Sequence, residues 1–108
     1  MPDQVWRLPQ ELVQPYTLHR GFTFTTTGDT AVDAVTLAGS MAEGKKIMLI
    51  VEQNDLHVEF DADATTSSML IPAGSGYADD NIHIGTRISV INANAGQNGR
   101  LRGICWGR

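Results

Sequence analysis

Apolar residues recur at every second position through the middle of the chain, as Ile47, Leu49 and Val51 and again as Leu56, Val58 and Phe60. A period of two places each set on one face of a β-strand. Between the sets, Asn54-Asp55 suits a two-residue turn, since both residues tolerate the left-handed backbone of a type I′ turn. The pattern predicts a β-hairpin over residues 46–61, with Val51 opposite Val58, Leu49 opposite Phe60 and Ile47 opposite Ala62. The other face of that hairpin would pair Ile50 with Glu59 and Met48 with Asp61, a mixed and partly covered surface.

The same texture extends towards both ends. Gly21 to Thr27 alternates phenylalanine with threonine, and Thr30 to Leu37 carries Val32, Val35 and Leu37. Both stretches favour a pleated surface. The alanines of residues 30–43 offer a helix as the competing reading, but the valines and threonines favour a strand. Met69-Leu70-Ile71 is a short strand stopped by Pro72, Tyr77 to Asn81 continues a loop, and Ile82-His83-Ile84 resumes alternation. Arg87 to Ile91 and Arg100 to Trp106 close the chain as two further strands around a turn rich in Asn and Gly. The expected fold class is all-β, a single antiparallel sandwich or barrel of about 7–8 short strands over residues 21–108.

Residues 1–20 differ. Pro2, Pro9 and Pro15 interrupt them, and Val5, Trp6, Leu8, Leu12, Val13, Tyr16 and Leu18 lie between. Proline lacks a donor and fixes its own dihedral, so an extended N-terminal arm is expected rather than a long helix or central strand. Trp6, Leu8, Leu12 and Tyr16 make this arm too apolar to stand free in water. Either it packs along its own domain or it docks on a neighbouring subunit.

Composition narrows the function classes. The chain has 108 residues, 42% hydrophobic and 19% charged, which describes one folded domain that buries roughly 65% of its unfolded surface. A net charge of -4, with no basic run longer than Lys45-Lys46, argues against nucleic acid as a partner. Cys105 is the sole cysteine and cannot close an intramolecular disulfide; between Ile104 and Trp106 it reads as a small core residue. No apolar run reaches the length of a membrane span and the N-terminus has no signal-peptide pattern, so synthesis in a cytoplasm and no membrane partner are expected.

Candidate chemistry is sparse. Asp61 and Asp63 have the opening spacing of a calcium loop, but Thr66 and Pro72 stand where that loop needs glycine and glutamate. Asp79, Asp80 and His83 show no ligand spacing with them, and no metal or other cofactor is expected. Gly74-Ser75-Gly76 is not a nucleophile elbow. His19, His57 and His83 are isolated, and the apolar neighbours of Cys105 argue for an inert thiol. No catalytic residues emerge, and the expectation is that the chain is not an enzyme.

From Val58 onward the order of features resembles the small β-sandwich proteins of tailed-phage virions, namely capsid decoration (cement) proteins and related tail or fibre modules. The resemblance rests on Val58-Glu59-Phe60-Asp61-Ala62-Asp63-Ala64-Thr65-Thr66, then Leu70-Ile71-Pro72-Ala73-Gly74. It continues through Gly85-Thr86-Arg87-Ile88-Ser89-Val90-Ile91 to Gly99-Arg100-Leu101-Arg102-Gly103. It implies a structural virion protein on the capsid surface that stabilises the shell. Its partners would be the major capsid protein and copies of itself, a homo-oligomer with a trimer as the first expectation. Trp6, Leu8, Leu12 and Tyr16 would then be the partner-binding residues of the arm. The alternative is a receptor- or glycan-binding module of a tail or fibre, with Tyr77 beside Asp79, Asp80 and Asn81 as its aromatic platform.

Overall fold

The computed structural model describes residues 16–108, which form eight strands and no helix. In chain order these are β1 (Leu18–Thr25), β2 (Val32–Thr36), β3 (Gly44–Gln53), β4 (Leu56–Phe60), β5 (Met69–Ile71), β6 (Gly76–Asp79), β7 (Arg87–Asn92) and β8 (Arg100–Gly107). They make two four-stranded sheets, ordered β1-β8-β3-β6 and β2-β7-β4-β5, with every pairing antiparallel. Two sheets with these crossovers are a jelly-roll sandwich. The all-β expectation holds. The first strand starts at Leu18, three residues before the arm boundary placed at Gly21.

The central segment has the expected strands but not the expected hairpin. β3 pairs with β8 and β6, whereas β4 pairs with β7 and β5 in the other sheet. Asn54 does take the left-handed backbone, at a φ of 51°. The bend it makes carries the chain from one sheet to the other instead of back along the same one. Asn54 Nδ2 donates to the carbonyl of Asn98 at 2.6 Å, and Asp55 Oδ1 accepts from the Ala73 N–H at 2.8 Å. These contacts tie the crossover to two neighbouring loops. Inward alternation survives the change of partner, because both strands still aim one face at the common core.

Two further segments exchange roles. Gly76–Asp79, expected as loop, is β6, hydrogen-bonded along β3 with Leu49 opposite Tyr77. A Cβ on Gly76 would sit 2.5 Å from the Leu49 carbonyl oxygen, so glycine is what allows this close approach. Ile82-His83-Ile84, expected as strand, is held by a single bridge in which Ile84 and Gly44 exchange backbone hydrogen bonds. Ile84 is nevertheless fully buried.

The core lies between the sheets. Leu49, Val51, Val58, Ile88, Val90 and Leu101 are each at most 1% exposed. Leu37, Ile47, Leu56, Ile84 and Cys105 join them. Burying an aliphatic side chain of this size stabilises the fold by about 1.5–3 kcal/mol each. Phe60 is only half-buried, at the margin of the core, its ring centroid 6.3 Å from that of Tyr77.

Loops at the ends of the sandwich are held by polar side chains. Asp61, itself at a φ of 61°, accepts from the backbone N–H groups of Gly85, Thr86 and Arg87 and from the Thr86 hydroxyl. Partial burial works against its ionisation, but these four donors outweigh that and hold its carboxyl below the usual range. Elsewhere the buried Thr26 hydroxyl donates to Asn92 Oδ1. Asn92 Nδ2 in turn faces the Gly28 carbonyl, Asp29 and Asn98.

Candidate interaction surface

The sheet β1-β8-β3-β6 has an inner and an outer face set by alternate residues. On β3, Met48 and Ile50 point outward, neighbours on one face, and are 45% and 46% exposed. The registers carry that outer face sideways. Met48 lies opposite Ile104 on β8 and Ala78 on β6, and Ile50 lies opposite Arg102 and Gly76. One step further along, Lys46 lies opposite Trp106, its ammonium 5.1 Å from the ring centroid in a cation–π contact. Met48, Ile50, Ile104 and the Trp106 ring therefore form an apolar stripe, kept open by the small neighbours Gly21, Gly76 and Ala78.

Shallow depressions flank Met48 on both sides. One of about 210 Å³ is lined by Met48, Ile50, Arg102, Gly103 and Ile104. The other, of about 320 Å³, is lined by Lys46, Ile47, Met48, Ala78, Asp79 and Asp80. Charge rims the stripe unevenly. Towards one end, Glu52 Oε1 lies 3.1 Å from Arg102 Nε and 3.2 Å from Arg100 Nε. The Arg100 contact pairs the charges without the alignment of a hydrogen bond. At the β6 corner stand Asp79 and Asp80. The Asn81 N–H and the Tyr77 hydroxyl both donate to Asp79 and hold its carboxyl below the usual range, while Asp79 pushes the Tyr77 hydroxyl up.

The expectation of a mixed, partly covered face is corrected at Met48 and Ile50, because Glu59 and Asp61 belong to the other sheet and do not face them. The signal for the stripe was present in the sequence. Ile47 to Val51 and Ile104-Cys105-Trp106 are apolar at consecutive positions, so each of these strands carries apolar side chains on both faces.

Of the arm residues, Trp6, Leu8 and Leu12 lie outside the described residues. Tyr16 is half-buried just before β1, with the Arg108 guanidinium 6.0 Å from its ring centroid. Tyr77, expected as a loop platform for glycan, sits in β6, faces inward opposite Leu49 and donates its hydroxyl to Asp79 at 2.8 Å. It is half-buried in a strand instead of standing on a loop.

The remaining candidates are occupied by structural contacts. His57 Nδ1 donates to the Ser68 carbonyl at 2.9 Å, and His83 Nδ1 lies 2.9 Å from Glu43. Glu43 also meets Lys45 at 3.2 Å; that hydrogen bond leads in holding its carboxyl below the usual range, with the charges of His83 and Arg108 adding to it. Arg87 bridges Asp33 and Asp63, which together raise its already high pKa. Cys105 is fully buried, and burial pushes its thiol up to about 11, the inert state expected for it. Among the described residues no three of His, Cys, Asp and Glu come together as a metal-ligand group. The inward positions of both sheets carry aliphatic side chains, so these residues do not fit a metal centre between the sheets.

No family model matches the sequence, and no curated protein matches it. Solved structures do share the fold. A cupin superfamily protein from Desulfitobacterium hafniense DCB-2 is 7% identical, with a TM-score of 0.50 over 88% of this chain and 72% of that one. An HTH_3 family transcriptional regulator from Vibrio cholerae is 11% identical, with a TM-score of 0.54 over 89% of this chain and 48% of that one. Hydroxypropylphosphonic acid epoxidase from S. wedmorenis is 12% identical, with a TM-score of 0.51 over 81% of this chain and 42% of that one. This chain thus spans less than half the length of the regulator and of the epoxidase.

Identities this low establish a cupin-like jelly roll and nothing finer. None of these three proteins is described as a phage protein. The epoxidase also overturns the expectation that this chain is not an enzyme, which rested on finding no catalytic constellation in the sequence, because the same fold houses an enzyme there. The same sandwich carries catalysis when the right side chains are placed on it.

Proposed function

We propose that this chain is an assembly protein of a tailed-phage virion, seated on the capsid shell in the manner of a decoration protein. The observation that carries the reading is the outer face of the β1-β8-β3-β6 sheet. Met48 and Ile50 are nearly half exposed at its centre, in line with Ile104 and Trp106. A folded domain whose interior is already filled gains nothing for its own stability by leaving such a stripe in water; it gains when another surface covers it. The order of strands and loops from Val58 to Gly103 supports the virion setting by resemblance, and jelly rolls serve viral capsids as well as lectins and cupins. Attachment to the major capsid protein is assigned to the segment bearing Trp6, Leu8 and Leu12 together with Tyr16, and the sandwich presents its outer face to other copies.

The experiment removes residues 1–15, which leaves β1 whole because it begins at Leu18. Thermal melting and binding to shells that lack the protein are then measured. Attachment lost with a melting temperature nearly unchanged is the expected result. Full-length protein that does not bind such shells, or a truncated form that binds as well as the full chain, overturns the proposal.

A further inference from the structure

The apolar stripe is bordered by opposite charges, and their placement points to one occupant. Arg102 lies on β8 at the level of Ile50, beside Arg100 and Glu52, where two guanidinium groups share one carboxylate. Asp80 follows β6, on the opposite side of β3 from β8 and towards the other end of the strands, and joins Met48 and Lys46 in lining one depression. Met48 therefore stands between an excess of positive charge on one side and, on the other, Asp80, with Lys46 beside it drawn over the Trp106 ring.

A surface with an apolar centre and unlike charges on opposite flanks is complementary to itself. Rotation about a two-fold axis lying in the interface through Met48 brings the Asp80 flank of one copy over the Arg102 flank of the other, twice per pair. The axis runs diagonally to the strands, so the two sheets meet in the crossed arrangement common to sheet-on-sheet packing.

We infer that the outer face of the β1-β8-β3-β6 sheet is a two-fold self-association surface, closed by a second copy of this chain. The inference deepens the proposed function, and rests on it only in taking copies as partners. Size separates a transient contact from an obligate one. The strands β1, β8, β3 and β6, of 8, 8, 10 and 4 residues, at about 3.4 Å per residue and about 4.8 Å apart offer roughly 500 Å² per copy, or about 1,000 Å² in the pair, the lower bound for a specific interface. An interface at that bound fits a reversible dimer rather than an obligate one.

Sedimentation equilibrium of the full chain from about 1 to 200 μM tests this, alongside thermal melting. The expected result is a monomer–dimer equilibrium that Ile50→Asp weakens at least tenfold, and that Met48→Lys weakens similarly, with melting temperatures within a few degrees of the parent because both side chains lie outside the core. Asp80→Arg alone and Arg102→Glu alone should each weaken pairing, and the double variant should recover most of it, since the swap rebuilds both cross-copy pairs. A monomer at every concentration overturns the inference. So does a trimer, because a two-fold contact closes at two copies, and so does a dimer indifferent to Ile50→Asp and Met48→Lys. A chain that pairs only after removal of residues 1–15 would give the face to that segment and equally overturn it. Shell binding by a strictly monomeric protein would refute this inference alone; dimers that ignore the shell would refute the attachment proposal alone.

Discussion

Replacing Asp61 by asparagine tests how far one side chain holds the loop after β4 to the start of β7. Its Oδ1 accepts from Thr86 N at 2.7 Å, Thr86 Oγ1 at 3.0 Å and Arg87 N at 3.2 Å, and its Oδ2 accepts from Gly85 N at 2.7 Å. Asparagine keeps the backbone preference, because it too accepts the φ of 61° found here. Its amide oxygen can serve the donors at Oδ1, but an NH2 then faces the Gly85 N–H. One hydrogen bond to a charged group is lost and the others lose charge assistance, changes worth about 1.5–3 kcal/mol at a site shielded from water. Asp61 is exposed, so solvent screening lowers the expected loss to about 1–2 kcal/mol. That corresponds to a fall in Tm of roughly 5–10 °C for a domain of this size. Asp61→Ala should cost more, since it removes all four bonds and adds about 1–2 kcal/mol for a left-handed alanine.

The pH dependence gives the sharper check. The folded-state pKa of Asp61 is depressed, so its contribution is fully present above the unfolded value near 3.9 and is lost as pH falls through the folded value. Urea unfolding of the parent and of Asp61→Asn should therefore differ by the full amount at pH 7 and converge as the pH falls from the unfolded value through the lower folded one. Taking the difference between the two proteins cancels the other carboxylates. A gap below about 0.3 kcal/mol at neutral pH, or one that persists undiminished in acid, would refute the assignment of this stability to the ionised carboxylate.

Two further predictions follow from burial. Phe60→Ala should cost about 2 kcal/mol in urea unfolding, short of the roughly 3–5 kcal/mol of a fully buried phenylalanine, because the ring sits at the core margin; a loss as large as that of a central core residue would contradict this placement. Cys105, fully buried with its thiol pushed up to about 11, should react with a disulfide reagent at pH 8 only as the protein unfolds; rapid stoichiometric labelling of the native protein would contradict its burial.

What the sequence determined by itself was the alternation of side chains. Ile47, Leu49 and Val51 in one strand and Leu56 and Val58 in the next point into the core as their period of two required. That preference is a property of each strand alone and does not depend on which strand lies beside it. Cys105 was legible on the same ground, as was the left-handed turn at Asn54. Strand partnership was not legible, because backbone donors and acceptors are alike along the chain and any strand of suitable direction can satisfy them. Asn54-Asp55 is compatible with a tight hairpin and equally with the crossover it makes; β8 and β6 occupy both edges of β3 and leave none for β4. Gly76–Asp79 became a strand for a similar reason, its small residues finding the other edge of β3 open. The exposed stripe depended on the same choices. Met48 and Ile50 are apolar in any reading of the sequence, but only the tertiary structure sets Ile104 beside Met48, leaves Arg102 and Asp80 on opposite flanks, and leaves that face exposed.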